Sequence, residues 1–190
     1  IRIGINGFGR IGRMICRAVM DRNDITLVAI NDPFNSGEQL AYSLKYDSVH
    51  GTIDKDIKGT EEYLYIDNNK IQLIKERNPI NINWEETGVD YVCECSGVFR
   101  TTETAKYHIK PHNMIGAKKV IISAPPKDDT PMFVMGANNE TYSKPHEKKF
   151  SNTIDFLMSN NKPNHAVDLY EGFTATGEYQ NNIEKKINNY

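Results

Sequence analysis

The feature that most constrains this chain is its opening, IRIGINGFGRIGRM, which sets three glycines as Gly7-x-Gly9-x-x-Gly12. The residues before them, IRIGI, alternate β-branched side chains in the manner of a buried strand. After them Ile11, Met14, Ile15, Ala18 and Val19 recur at helical spacing and give one apolar face. The glycines therefore lie on a strand-to-helix turn. Such a turn must be tight, must let the helix pack against its own strand, and leaves unpaired N–H groups and a positive dipole end at the helix start.

The pattern downstream alternates. ITLVAIND (25–32) reads as a second buried strand and EQLAYSLKY as a short helix. YLYI and IQLI flank the turn DNNK as strand candidates, and VDYVCECSG (89–97) is another buried strand. TTETAKYHI carries a threonine N-cap before a helical stretch, KKVIISAP (118–125) is strand again, and PMFVMGAN (131–138) is expected to be strand. Strands alternating with helices predict an α/β fold, a doubly wound parallel sheet with right-handed crossovers. Residues 1–150 are expected to form that domain. Residues 151–190 hold eight asparagines in forty positions and read as an irregular, partly disordered tail with at most short helices.

Composition narrows the function classes. With 23 Lys+Arg against 25 Asp+Glu, no overall field draws the chain to nucleic acid or membrane. No apolar run approaches the ~20 residues that cross a bilayer. The chain opens inside a strand, so no secretory leader is visible in it, and its three cysteines lack zinc-type spacing; a cytoplasmic, reducing setting is expected. No metal site is expected.

The glycine pattern matters because its context is complete. Asp32 closes the second strand twenty residues beyond Gly12, where a carboxylate can accept the ribose hydroxyls of NAD and repel the 2′-phosphate of NADP. The alternative role for Asp32 is a helix N-cap, with Pro33 at the first helical position. The fingerprint thus predicts a dinucleotide cofactor, NAD.

INGFGRIGR, AINDPF, YDSVHG, SGVF and VIISAPPKDDTPMFVMGAN, in this order, closely resemble the nucleotide-binding domain of glyceraldehyde-3-phosphate dehydrogenases, a likeness running from residue 1 to about 148. The resemblance implies that Arg10 and Ile11 present backbone to the pyrophosphate, that Asp32 holds the adenosine ribose, and that Arg77 lies near the adenine. It implies further that Ser96, Gly97, Phe99 and Ser123 line the path towards the nicotinamide. With Gly7, Phe8, Gly9, Gly12 and Asn31 these make up the expected cofactor-binding set. KYHIKPHNMIGAKKV is longer than the connection usual in that family, with Pro111 interrupting the helix.

The chemistry such a family performs needs a cysteine thiolate to add to an aldehyde and a histidine to take the proton, so that hydride can leave. The family carries that cysteine in a Ser-Asn-x-Ser-Cys-Thr-Thr-Asn motif. Here the corresponding stretch is KKFSNTIDFLMSNN, where Ser151 and Asn152 match and the motif then stops; no cysteine follows Cys95. Cys93 and Cys95 share one face of a strand and read as buried core, and Thr153 or Ser159 would need a strong base. No catalytic residue is assigned.

Two classes of function follow. One is the NAD-binding portion of a phosphorylating, glycolytic aldehyde dehydrogenase, truncated and without activity of its own. The other is a non-catalytic module holding NAD, another adenine nucleotide, or RNA in the same cleft. In either case the flank around Val98, Phe99 and the end of MFVMG lacks the cover a catalytic domain would give. It should self-associate or be covered by Ile154, Phe156, Leu157 and Met158.

Overall fold

The computed structural model describes residues 1–109 and 116–142. The elements in chain order are β1 (Arg2–Asn6), α1 (Arg10–Met20), β2 (Thr26–Asn31), α2 (Gly37–Lys45), β3 (Tyr46–Asp47), β4 (Gly51–Thr52), β5 (Ile57–Gly59), β6 (Tyr63–Ile66), β7 (Asn69–Ile74), β8 (Tyr91–Glu94), α3 (Thr102–Ala105) and β9 (Lys119–Ile122). Seven strands form one sheet in the order β5-β6-β7-β2-β1-β8-β9. The five from β7 to β9 run parallel, as the alternation of elements requires, and β5 and β6 extend the sheet as an antiparallel meander. β3 and β4 pair separately.

Both faces of the central strands β2, β1 and β8 are covered, for reasons visible in the cross-strand rows. Ala29, Gly4, Val92 and Val120 stand side by side in register. The small residues in that row leave room for Trp84, which is fully buried. A Cβ on Gly4 would lie 2.6 Å from the indole ring. Ile82, Val89 and Ala117 complete this cluster. Removing a buried tryptophan of this kind typically costs ~3–5 kcal/mol. The adjacent row, Ile30, Ile5 and Cys93, faces the other way, and Gly12 of α1 packs against Ile5.

α2 begins one turn later than a cap at Asp32 would place it. Ser36 is the N-cap, its hydroxyl accepting from the Gln39 N–H while the Gln39 side chain accepts from the Ser36 N–H. Gly37 then abuts β5 so closely that a Cβ would lie 1.8 Å from the Thr60 carbonyl oxygen. The YDSVHG stretch is a tight hairpin built around Asp47, which accepts from the N–H groups of Val49 and His50 and pairs with the His50 ring at 3.2 Å. Burial pushes the Asp47 carboxyl up, but those donors outweigh it and bring it down to about 2. Arg17 of α1 fastens the hairpin by donating to the carbonyls of Leu44, His50 and Gly51.

The chain divides into two units, Ile1–Thr130 and Pro131–Tyr190. In the described part of the second, the expected strand over 131–138 does not form. The Val134 N–H donates to the Asn138 side chain and the Gly136 N–H to that of Asn139, and Gly136 takes a φ of +79°. Asparagine side chains thus satisfy the backbone locally and coil it into turns, which competes with strand pairing. Phe133 and Tyr142 meet edge to face at 5.0 Å. The tail of 151–190, the Ile154–Met158 cover and the Pro111 insertion lie outside the described residues. Among the described residues no helix is long and apolar enough to cross a membrane.

Alanine in a helix interior normally gains about 1 kcal/mol over glycine. At Gly12 the sign should reverse, because the new Cβ would stand 2.3 Å from the Gly7 carbonyl oxygen. Gly12→Ala is expected to destabilise the chain by about 1–3 kcal/mol in urea unfolding; a gain would mean that the turn yields.

Candidate functional site

The carboxyl ends of the parallel strands bring the expected residues to one edge of the sheet. β1 runs into Gly7, β2 into Asn31 and Asp32, β8 into Ser96, and β9 into Ser123. Backbone hydrogen bonds tie these ends together: the Gly7 N–H donates to the Asn31 carbonyl, the Cys95 N–H to Asn6, the Ser123 N–H to Glu94 and the Asp32 N–H to Ile74.

The turn itself is held by contact. Gly7 has a φ of +90°, and a Cβ there would lie 2.7 Å from the Ser96 backbone, so both conformation and space demand glycine. Gly9 is the N-cap of α1 and has open space where its side chain would be. Neither a side-chain cap nor an acid occupies the first turn of that helix. Arg10 is exposed and Ile11 half-buried. Phe8, by contrast, is buried, and its N–H donates to Asp32 Oδ2 at 3.1 Å.

Asp32 is almost fully buried and does not cap a helix. Its Oδ1 accepts from the backbone N–H groups of Phe34 and Asn35 and from the Asn35 side chain, each at 3.0–3.1 Å. Oδ2 accepts only from Phe8. A carboxylate oxygen accepts about two hydrogen bonds. The remaining acceptor position is therefore on Oδ2, beside the turn. Asn31 is likewise committed, donating to Asn6 Oδ1 and the Glu76 carbonyl and accepting from the Glu76 N–H. It acts as a strut between strand ends. Arg77, just past β7, stands over the ring of the exposed Phe34 at 5.3 Å.

On the other side of Gly7, Gly97 is in a left-handed conformation with a φ of +71° and open space around it. Phe99 meets the buried His108 ring edge-on at 6.3 Å. Ser123 is half-buried. Sequence reasoning passed over Phe34, Asn6, Glu94 and His108. A lone acid inside the apolar stretch YVCEC was the available signal for Glu94; nothing local distinguishes His108.

The residues fit a dinucleotide. Its pyrophosphate requires backbone approach and free helix-start donors, which Gly9 and α1 provide. The sequence model described as glyceraldehyde 3-phosphate dehydrogenase, NAD binding domain, matches residues 1–102, over half of the chain. The chain belongs to this family. Glyceraldehyde-3-phosphate dehydrogenase of Coccidioides posadasii is 53% identical over 142 residues, covering 75% of this chain and 41% of the relative. That of Phaeosphaeria nodorum is 53% identical over 144 residues, 76% and 41% of the two chains. That of Salmonella typhimurium is 50% identical over 142 residues, 75% and 41%. The chain spans about two fifths of the length of these relatives. Residues 1–102 are thus the NAD-binding domain of a glyceraldehyde-3-phosphate dehydrogenase.

All three cysteines fall among the described residues, and none resembles an activated thiol. Burial pushes Cys16 and Cys93 up to about 12, and burial with the nearby Cys93 raises Cys95 as well. Among the described residues no group of histidine, cysteine and acidic side chains could hold a metal ion. With their pKa values raised by burial, the thiolate fraction of these cysteines at neutral pH is minute. Native protein at pH 7.5 should react with iodoacetamide at least tenfold more slowly than after unfolding in urea, with little acceleration up to pH 9. Intact-mass measurement checks this; rapid native alkylation would contradict the burial.

Proposed function

We propose that this chain holds NAD at the carboxyl edge of its sheet and does not oxidise aldehydes by itself. The observation that carries the reading is the conjunction of an uncapped α1 start, an open Gly9 and a buried Asp32 whose Oδ2 keeps one acceptor position free. The N–H groups at Arg10 and Ile11 receive the pyrophosphate, while Asp32 Oδ2 accepts a ribose hydroxyl. Arg77 and Phe34 border the adenine; Ser96, Gly97, Phe99 and Ser123 border the other half of the cofactor. NAD, when bound, supplies a hydride acceptor.

The family's activity, phosphorylating oxidation of an aldehyde in glycolysis, belongs to a protein more than twice the span matched here. It needs a reactive thiolate that Cys16, Cys93 and Cys95 do not provide. We assign this chain the cofactor-holding part of that activity, in the cytoplasm. The exposed Val98 beside the site is the place where further protein, or a second copy, would add cover.

Calorimetry on the 190-residue chain should detect NAD, with NADP bound at least tenfold more weakly because the buried Asp32 carboxylate opposes the added phosphate. Asp32→Ala should weaken NAD about tenfold or more, since it removes the ribose acceptor and also releases the Phe8 N–H, and should narrow the gap between the two cofactors. Equal binding of NAD and NADP, indifferent to Asp32, would refute the assigned role. No NADH should form on adding glyceraldehyde 3-phosphate and phosphate. Its appearance, with an acyl adduct by mass spectrometry, would show that a nucleophile is present after all.

A further inference from the structure

At the carboxyl edge of β8 lies a buried carboxylate towards which every neighbouring donor points. Glu94 is 1% exposed. Its Oε2 accepts from Asn6 Nδ2 at 2.5 Å and meets His108 Nε2 at 2.9 Å. Its Oε1 accepts from the Ser96 N–H at 2.7 Å and from the Ser96 hydroxyl.

The direction of each bond can be worked out. Trp84 Nε1 can only donate, and it reaches His108 Nδ1 at 3.0 Å, so Nδ1 accepts and Nε2 is the nitrogen that donates to Glu94. The Val98 N–H can likewise only donate, and it reaches Ser96 Oγ at 3.1 Å, which leaves the Ser96 proton for Glu94. Four donors thus converge on two oxygens, and both oxygens are saturated. Asn6 passes the linkage on: its Oδ1 accepts from Asn31, which clasps the backbone of Glu76. His108 reaches the segment 96–99 at its far end through the edge-on contact with Phe99.

We propose that Glu94 is a positioning residue of the cofactor site, with His108 acting through it. It locks the 96–99 segment in the place where Ser96 packs against Gly7. This rests on the assignment of that edge to NAD. The segment needs such a lock: Ser96, Gly97 and Val98 are exposed, Gly97 is left-handed with nothing around it, and Val98 is 67% exposed. The hydrogen bonds to Glu94 and, through Ser96 Oγ, to the Val98 N–H are what anchor it. Glutamine at 94 keeps the shape but turns two acceptor positions into donors. It must oppose either Ser96 or the pair Asn6 and His108, whose donors cannot reverse because Trp84 and Asn31 hold them.

The test uses the whole chain, Glu94→Gln, Ser96→Ala and the double variant. In ligand-free protein, amide exchange by NMR at Ser96 and Val98 should rise at least tenfold in E94Q, while Ile5, Ile30 and Val92 in the sheet stay protected. NAD affinity by calorimetry should fall about tenfold in E94Q and several-fold in S96A. The double variant should bind within about twofold of E94Q, since both changes cut one linkage. Additive losses, or NAD binding unchanged in E94Q, would overturn the proposal, as would unaltered exchange at Ser96 and Val98. If E94Q fails to fold, S96A decides: it lies at an exposed position, and unchanged exchange at Val98 together with unchanged NAD affinity would refute the linkage. If the unaltered chain binds no NAD, the cofactor assignment falls, and the exchange measurements still decide whether Glu94 holds the segment.

Discussion

The turn between β1 and α1 closes at the limit of contact, and the rest of the edge depends on that closeness. The Gly7 carbonyl sits where a Cβ of Gly12 would be, and the Ser96 backbone sits where a Cβ of Gly7 would be. Three pieces of backbone therefore meet with no side chain between them: the end of β1, the first turn of α1 and the start of the segment after β8. Such packing aims α1 along Ile5 and leaves its first turn open outward at Gly9. One interaction thus positions both the helix on the sheet and the helix start as a place for an anion.

The sheet changes character along its strands. Through the middle, the rows Ala29–Gly4–Val92–Val120 and Ile30–Ile5–Cys93 are apolar, and Trp84 fills the space that Gly4 leaves. At the carboxyl ends the next row, Asn31–Asn6–Glu94, is polar and buried. Buried polar groups are costly when unpaired and rigid when fully paired. Here each amide and each carboxylate oxygen in the row has its partners, so the strand ends are held in one arrangement without apolar filling. That allows polar functional groups to sit directly above a core without loosening it.

The cysteines show the same division from the other side. Cys16 and Cys93 belong to the apolar layers, and burial that makes them good core residues makes them poor nucleophiles. An activated thiol asks for the opposite, an electropositive and partly exposed setting. Among the described residues no cysteine has a lowered pKa.

Much of the parallel sheet was legible in the sequence because its signals are local: β-branched runs for β1, β2, β8 and β9, a 3.6-residue stripe for α1, and glycines between them. The candidate residues from Gly7 to Asp32 were legible for the same reason, their spacing being set by one strand, one helix and the next strand. The 131–138 stretch misled because its apolar run looks like a strand while its asparagines bond the backbone first. The alternative of an Asp32 cap does not hold, because the carboxylate serves Phe8, Phe34 and Asn35, and Ser36 does the capping. The Glu94 cluster was invisible, since its members come from positions 6, 84, 94, 96 and 108 and no local period links them. By itself, then, the sequence determined the parallel strands, the helix α1 and where the glycine turn falls, through steric and periodic rules acting within a few residues. Only the tertiary structure decided which donors meet the buried carboxylate and how firmly burial holds the thiols protonated. Desolvation and hydrogen-bond direction depend on what folding brings near, not on what is next in the chain.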